Sequence, residues 1–155
     1  MNIRPYTATD RNTCINIFQS NTPKYFDPSE LDYLKNWLTG KDEGRNSYTD
    51  NRAEHFYVLE TKREVVACGG FYIPNTTSLV NMVWGMVHND HHKQGFGKTL
   101  FAYRVEQAQQ LYPGCSITLD TSQHTYQFFE KLGFKVTGIQ KDSYGPGLDR
   151  YDMVL

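Results

Sequence analysis

At 155 residues the chain has the length of one domain spanning residues 1–155, enough to bury a core without metal or disulfide staples and too short for a second catalytic domain. Sixteen Lys and Arg against 17 Asp and Glu leave a formal charge of −1, so no basic field gathers DNA or RNA and nucleic acid is not an expected partner. Cys14, Cys68 and Cys115 are odd in number, widely spaced and set in apolar runs, which suits buried thiols in a reducing compartment. The start MNIRPYTATD lacks the apolar core of a signal peptide and no run reaches the ~18 apolar residues of a membrane span, so a cytoplasmic protein without membrane attachment is expected.

Ile3 to Tyr6 reads as a short strand, and Thr7-Ala8-Thr9-Asp10 as a capping box ahead of a helix with Cys14, Ile17 and Phe18 on one face. Asp27-Pro28-Ser29-Glu30 repeats the start signal for a second helix, with Leu31, Leu34 and Leu38 along its face up to Gly40. Residues 40–53 are polar and aperiodic, which predicts a mobile surface loop. Aromatic and β-branched runs at His55–Glu60, Val65–Ile73 and Leu79–Val87 then predict an antiparallel meander. A helix carrying Phe101, Val105, Ala108 and Tyr112 stops at Pro113-Gly114, and Cys115 to Leu119 follows as a strand, so this unit should be a right-handed parallel crossover. A fourth helix from about Gln123 to Gly133 and a hairpin of Phe134–Ile139 with Arg150–Leu155, across the loop Lys141–Asp149, complete the chain.

The stretch HHKQGFGKTL, residues 91–100, ends in a Gly-Lys-Thr that invites comparison with nucleotide-binding loops. A Walker loop needs a glycine at position 92, where His92 stands, and a dinucleotide fingerprint needs its third glycine at Leu100. What remains is a strand, a bend and a helix opening at Gly95 to Gly97, where bare backbone and free N–H groups suit a pyrophosphate. His92-Lys93-Gln94-Gly95-Phe96-Gly97 resembles the cofactor motif of the GNAT N-acetyltransferase family: Gln or Arg, two residues, Gly, any residue, then Gly or Ala. The segments IRPYTATD, YVLETKREVVACGGF, NMVWGMV and LDTSQHTYQFFEKLGF are similar to that family in the same order, so the resemblance covers nearly the whole chain.

The resemblance implies an α/β (α+β) GNAT fold, a mixed and mainly antiparallel sheet of six to seven strands with about four helices. It implies acetyl-CoA as co-substrate, lying between Leu79–Val87 and Cys115–Leu119, with pantetheine against the backbone of Met86 and Val87 and the diphosphate on the amides of Lys93, Gln94, Gly95, Phe96, Gly97 and Lys98. His92 replaces the family's Gln or Arg with an imidazole, which points to weaker cofactor binding at high pH. Phe129 stands where the family commonly has a tyrosine to protonate the leaving thiolate; it can pack on the cofactor or on Phe134 but has no proton to give. Tyr126, three residues earlier, is the candidate catalytic substitute, with core packing as the other reading. The family's glutamate base falls at Asn81, which cannot take a proton.

The implied function is direct acetyl transfer to a primary amine of a small molecule or peptide, by a monomer or homodimer. The alternative is a non-catalytic acyl-CoA-binding or sensor domain, favoured by Phe129 and Asn81. Tyr25, Phe26, Tyr33 and Trp37 with Glu30 read either as a cation-attracting acceptor wall or as ordinary packing of an amphipathic helix pair. His88, His91 and His92 beside Asp90 lack a second ligand cluster, so no metal is expected, and Cys68 and Cys115 read as core thiols.

Overall fold

A computed structural model describes all residues, 1–155. Its centre is a seven-stranded sheet in the order β1-β2-β3-β4-β5-β7-β6, with β1 Asn2–Pro5, β2 Asn51–Thr61, β3 Glu64–Pro74, β4 Leu79–Val87, β5 Ser116–Thr121, β6 Lys135–Gly145 and β7 Leu148–Val154. Every neighbouring pair is antiparallel except β4 and β5, which run parallel and are linked through helix α3, Phe96–Leu111. The meander closes at Lys62 (φ 50°) and Arg63 (φ 66°), a two-residue turn whose positive φ values match strand twist without glycine.

Helices α1 (Arg11–Ser20) and α2 (Leu31–Asp42) cover one face of the sheet, burying Cys14, Ile17, Phe18, Leu34, Trp37 and Leu38 against Phe56, Val58, Cys68 and Met86. On the other face α3 presents Leu100, Phe101 and Ala108 to Tyr57, Phe71, Val80 and Leu119. Strands β2 and β3 therefore carry two apolar faces, which is why their sequences run nearly unbroken in hydrophobes instead of alternating. Helix α4, Tyr126–Glu130, sits beside the final hairpin. No helix is long and apolar enough to cross a membrane.

Three expectations need correction. The loop expected at Lys141–Asp149 is mostly strand, β6 running on to Gly145 and β7 starting at Leu148, with Asp149 accepting the Asp142 amide at 2.9 Å. The stretch 40–53 is a tied connection: Glu54, its side chain fully buried, pairs with Lys41 at 2.6 Å and accepts the amides of Ser47 (2.7 Å) and Tyr48 (3.1 Å) and the side chain of Asn51 (2.9 Å). Polarity in that stretch serves one buried carboxylate, and β2 begins at Asn51. The fourth helix starts at Tyr126 instead of Gln123, because the Ser122 carbonyl accepts the amides of Thr125 and Tyr126 (both 3.1 Å) in a turn before the helix. Its end is a Schellman cap: Gly133 has φ 99° and the Phe134 amide donates back to the Phe129 carbonyl at 3.1 Å.

Candidate active site

The parallel pairing of β4 and β5 stops at Met82 opposite Leu119. Beyond it β4 bulges: Cys68 faces Met86 and Gly70 faces Val83, so Trp84 and Gly85 together oppose the single residue Gly69. Trp84 takes φ 52°, an uncommon conformation for a bulky side chain, and its ring is held by Phe18 and Phe26 on the helix face. The bulge turns β4 away from β5 while β5 goes on pairing with β7 through Asp120 and Thr121. The strands splay, and a cleft of about 600 Å³ opens between them.

Backbone amides line one end of this cleft. Lys93 (φ 62°) and Gly95 (φ 88°) twist the chain into the left-handed region just before α3. The amides of Lys93 through Lys98 donate to no carbonyl or side chain of the protein, and Thr99 to the Gly95 carbonyl (3.0 Å) is the first bond of the helix. Six consecutive unpaired N–H groups at a helix start, with the Lys93 and Lys98 side chains beside them, form an anion cradle. A Cβ on Gly97 would meet the protein only at ordinary distances, 3.5 Å from Val87 and 3.9 Å from Phe128, and Gly95 has open space around it. The bare backbone at both glycines leaves space that a diphosphate could approach. These residues fit coenzyme A.

The opposite end is acidic and aromatic. Glu30 closes the capping box that starts the α2 segment, its carboxylate accepting the Asp27 amide at 2.9 Å, and it also lines the cleft. Burial, helped by the charges of Asp27 and Asp120, pushes the Glu30 carboxyl up to about 7. Tyr144, from the last hairpin, donates its hydroxyl to Asp120, and burial next to that carboxylate raises the phenol well above its ordinary value. Tyr25, Phe26 and Trp84 complete this wall.

Of the residues singled out from sequence, Met86, Val87, His92, Lys93, Gly95, Phe96, Gly97, Lys98 and Phe129 all line the cleft. Gln94 contributes its amide only, its side chain reaching back to the Asp90 carbonyl at 3.3 Å. The His92 ring does not reach toward the anion cradle: Nε2 donates to the Val87 carbonyl at 2.9 Å, and Asn21 Nδ2 donates to the same oxygen at 2.9 Å. Both lone pairs of that carbonyl are taken, so it has no acceptor capacity left for a ligand. Asn81 lies below the splay, accepting from the Thr118 hydroxyl across the parallel pair.

Tyr126 is a correction. His124, Thr125, Phe128 and Phe129 face the cleft, and Tyr126 points off that face to stack on Tyr151, with ring centroids 4.4 Å apart. Residues three apart on a helix still differ by about 60° around its axis, and here Tyr126 turns to the last strand while Phe129 turns to the cleft. The Tyr126 hydroxyl meets only Gln127, at 3.4 Å. Phe129 is wedged against Phe101 (5.3 Å) and Phe134 (6.1 Å). His88 accepts the Asp90 amide at 3.2 Å, and no three His, Cys, Asp or Glu side chains come together to hold a metal.

Sequence reasoning missed Asn21, Trp84, Arg104, Asp120 and Tyr144. Arg104 alone left a signal, a charge on the stripe of Leu100, Phe101 and Ala108, facing a strand pair unusually rich in glycine. The others depend on bulge, cap and hairpin geometry that no periodicity encodes.

The model of the acetyltransferase (GNAT) domain matches residues 52–136, more than half of the chain. No curated protein matches it in sequence. Among solved structures, a GNAT-family protein from Desulfovibrio desulfuricans superposes with a TM-score of 0.80 at 20% identity, covering 99% of this chain and 97% of that one. The ribosomal-protein-S18-alanine N-acetyltransferase from Escherichia coli gives 0.75 at 17% identity, covering 99% and 92%. An aminoglycoside 6'-N-acetyltransferase complexed with coenzyme A gives 0.73 at 16%, covering 100% and 96%. With that match spanning the meander, the glycine turn and the last helix, the chain belongs to the GNAT family of acetyltransferases.

Proposed function

We propose that the protein transfers an acetyl group from acetyl-CoA directly to the primary amine of a small molecule or peptide, with the acceptor entering from the Glu30 side. The observation that carries this reading is the polarity of the cleft, with unpaired amides and two lysines at one end and a half-buried carboxyl at the other. Bound there, acetyl-CoA would supply the activated thioester. The amides of Lys93 to Lys98 would hold its diphosphate, and Met86, Val87 and Phe129 would line the path of the pantetheine.

Glu30 is the general base of this proposal. A carboxyl titrating near 7 is matched to removing a proton from an alkylammonium or from the attacking amine. Its negative form, with Asp120 and the faces of Tyr25 and Phe26, also attracts a cation. The bulge fixes the backbone beside the thioester, so alignment of amine and carbonyl supplies much of the rate. Phe129 itself offers no proton to the leaving thiolate in place of the family's tyrosine; coenzyme A is a fair leaving group, and water serves as donor. That same lack favours the second reading, an acyl-CoA sensor without chemistry. Thiol release from acetyl-CoA, assayed against polyamines, amino acids, aminoglycosides and peptides with free amino termini, tests the reading: release with at least one amine supports the enzyme, and binding of acetyl-CoA without release from any supports the sensor.

A further inference from the structure

Arg104 is 4% exposed, lies on α3 beneath the β4 bulge and has no carboxylate partner. Two glycines make room for it: a Cβ on Gly69 would stand 2.9 Å from the guanidinium carbon and one on Gly85 would stand 2.6 Å from Nη2, while Gly70 supplies a carbonyl. Nη1 braces the bulge, donating to the carbonyls of Gly70 (3.0 Å) and Val83 (3.4 Å). Nε is buried without a partner, and Nη2 donates to nothing in the chain. Burial lowers the guanidinium to about 10, so it keeps its charge at neutral pH. A buried charge whose partners are two carbonyls and the Phe101 ring, 5.4 Å away, has no counter-charge and is costly, and bracing a bulge needs no charge.

Arg104 is also part of the cleft wall, and Gly85, which lies over Nη2, is exposed to the cleft. Around it the α3 side of the cleft is apolar, with Met82, Phe101, Leu119 and Phe129. A cleft wall of hydrocarbon beside a guanidinium whose Nε and Nη2 lack partners matches a short methylene chain capped by a carboxylate. A transient oxyanion would offset the charge only during reaction, whereas a carboxylate on the bound donor offsets it throughout.

We infer that the acyl slot of this cleft is built for a donor whose acyl group carries a second, terminal carboxylate, held by Arg104. The inference rests on the acyl-CoA reading of the cleft and extends it to the acyl group: acetyl-CoA is still a donor, and a carboxyl-terminated acyl-CoA is the better one. The amine nitrogen bonds to the thioester carbonyl carbon, the carbon–sulfur bond breaks, and the thiolate leaves with the electron pair and takes a proton from water. The amine's own proton goes to Glu30, and the distal carboxylate passes unchanged into the amide product.

The test compares succinyl-CoA, glutaryl-CoA, acetyl-CoA and butyryl-CoA on the wild-type protein, by thermal shift and by kcat/KM with one accepted amine. The expected result is a preference for a carboxyl-terminated donor of roughly ten- to a hundredfold over acetyl-CoA, as a charge-assisted hydrogen bond supplies. In Arg104→Met the ratio of succinyl to acetyl donor falls by a similar factor, and Arg104→Lys recovers part of it. Because the wild-type comparison needs no variant, a variant that fails to fold does not block the test. Equal or better use of acetyl-CoA and butyryl-CoA by the wild type overturns the inference, as does an equal loss for every donor in Arg104→Met, which would make the guanidinium a brace or an oxyanion donor. Failure of all four donors to bind would instead remove the acyl-CoA reading itself.

Discussion

Asn21 and Val87 are joined by a hydrogen bond of 2.9 Å from the amide side chain at the end of α1 to the carbonyl at the end of β4. Asn21 is buried, and the same nitrogen also caps the helix through the Ile17 carbonyl at 2.8 Å. One side chain thus fixes the acceptor-side helix to the strand that floors the cleft. Asn21→Ala is expected to lower unfolding free energy by about 1–3 kcal/mol in urea, since a buried acceptor loses a partner. A loss under about 0.5 kcal/mol would mean that water replaces the amide.

Glu30 sets a pH profile. Its carboxyl titrates at about 7 because burial disfavours the anion, and a base must be deprotonated to work, so kcat/KM should rise with pH through about 7 and level off above it. Glu30→Gln should lower the plateau by roughly 10²-fold or more and abolish that limb. An unchanged profile would leave Glu30 as the third residue of its capping box only.

Tyr126→Phe should change kcat far less than the roughly 10²- to 10⁴-fold of a lost general acid, because the ring stacks on Tyr151 outside the cleft. A loss in that range would require the last helix to rotate on binding.

Glu54 governs acid stability. Burial alone would raise its carboxyl, but Lys41, the amides of Ser47 and Tyr48 and the side chain of Asn51 outweigh burial and hold it below its usual 4.5. A depressed carboxylate stabilises the fold above the unfolded value, and that share is lost as pH falls through the folded one. Glu54→Gln should therefore cost about 3 kcal/mol at pH 7, by leaving Lys41 unpaired, and less at pH 3. Equal loss at both values would contradict the assignment.

The strands of the meander were legible because β-branched and aromatic runs between polar turns have few other uses, and α3 because its stripe stops at Pro113-Gly114. The glycine turn was legible as an anion site because Gly95 and Gly97 stand where a helix must open. The 40–53 connection was misread because its order comes from Glu54, a residue outside it whose burial is tertiary. Tyr126 was misplaced because residues three apart on a helix differ by about 60° around its axis, enough for its ring to meet Tyr151 instead of the cleft. Arg104 was passed over because one charge on an apolar stripe gains meaning only once Gly69, Gly70 and Gly85 are found across from it.

The central claim, acetyl-CoA lying on the amides of Lys93 to Lys98, is tested most directly by calorimetric titration of wild type and Gly97→Val with acetyl-CoA, each paired with its melting temperature. A Cβ here meets the protein only at ordinary distance, 3.5 Å from Val87, so the variant should still melt cooperatively near the wild-type temperature. It should bind acetyl-CoA at least tenfold more weakly, because a branched side chain, unlike the alanine that the family motif allows, fills the space where the diphosphate approaches the backbone. Equal affinity in the two proteins, or no binding to either, would contradict the account.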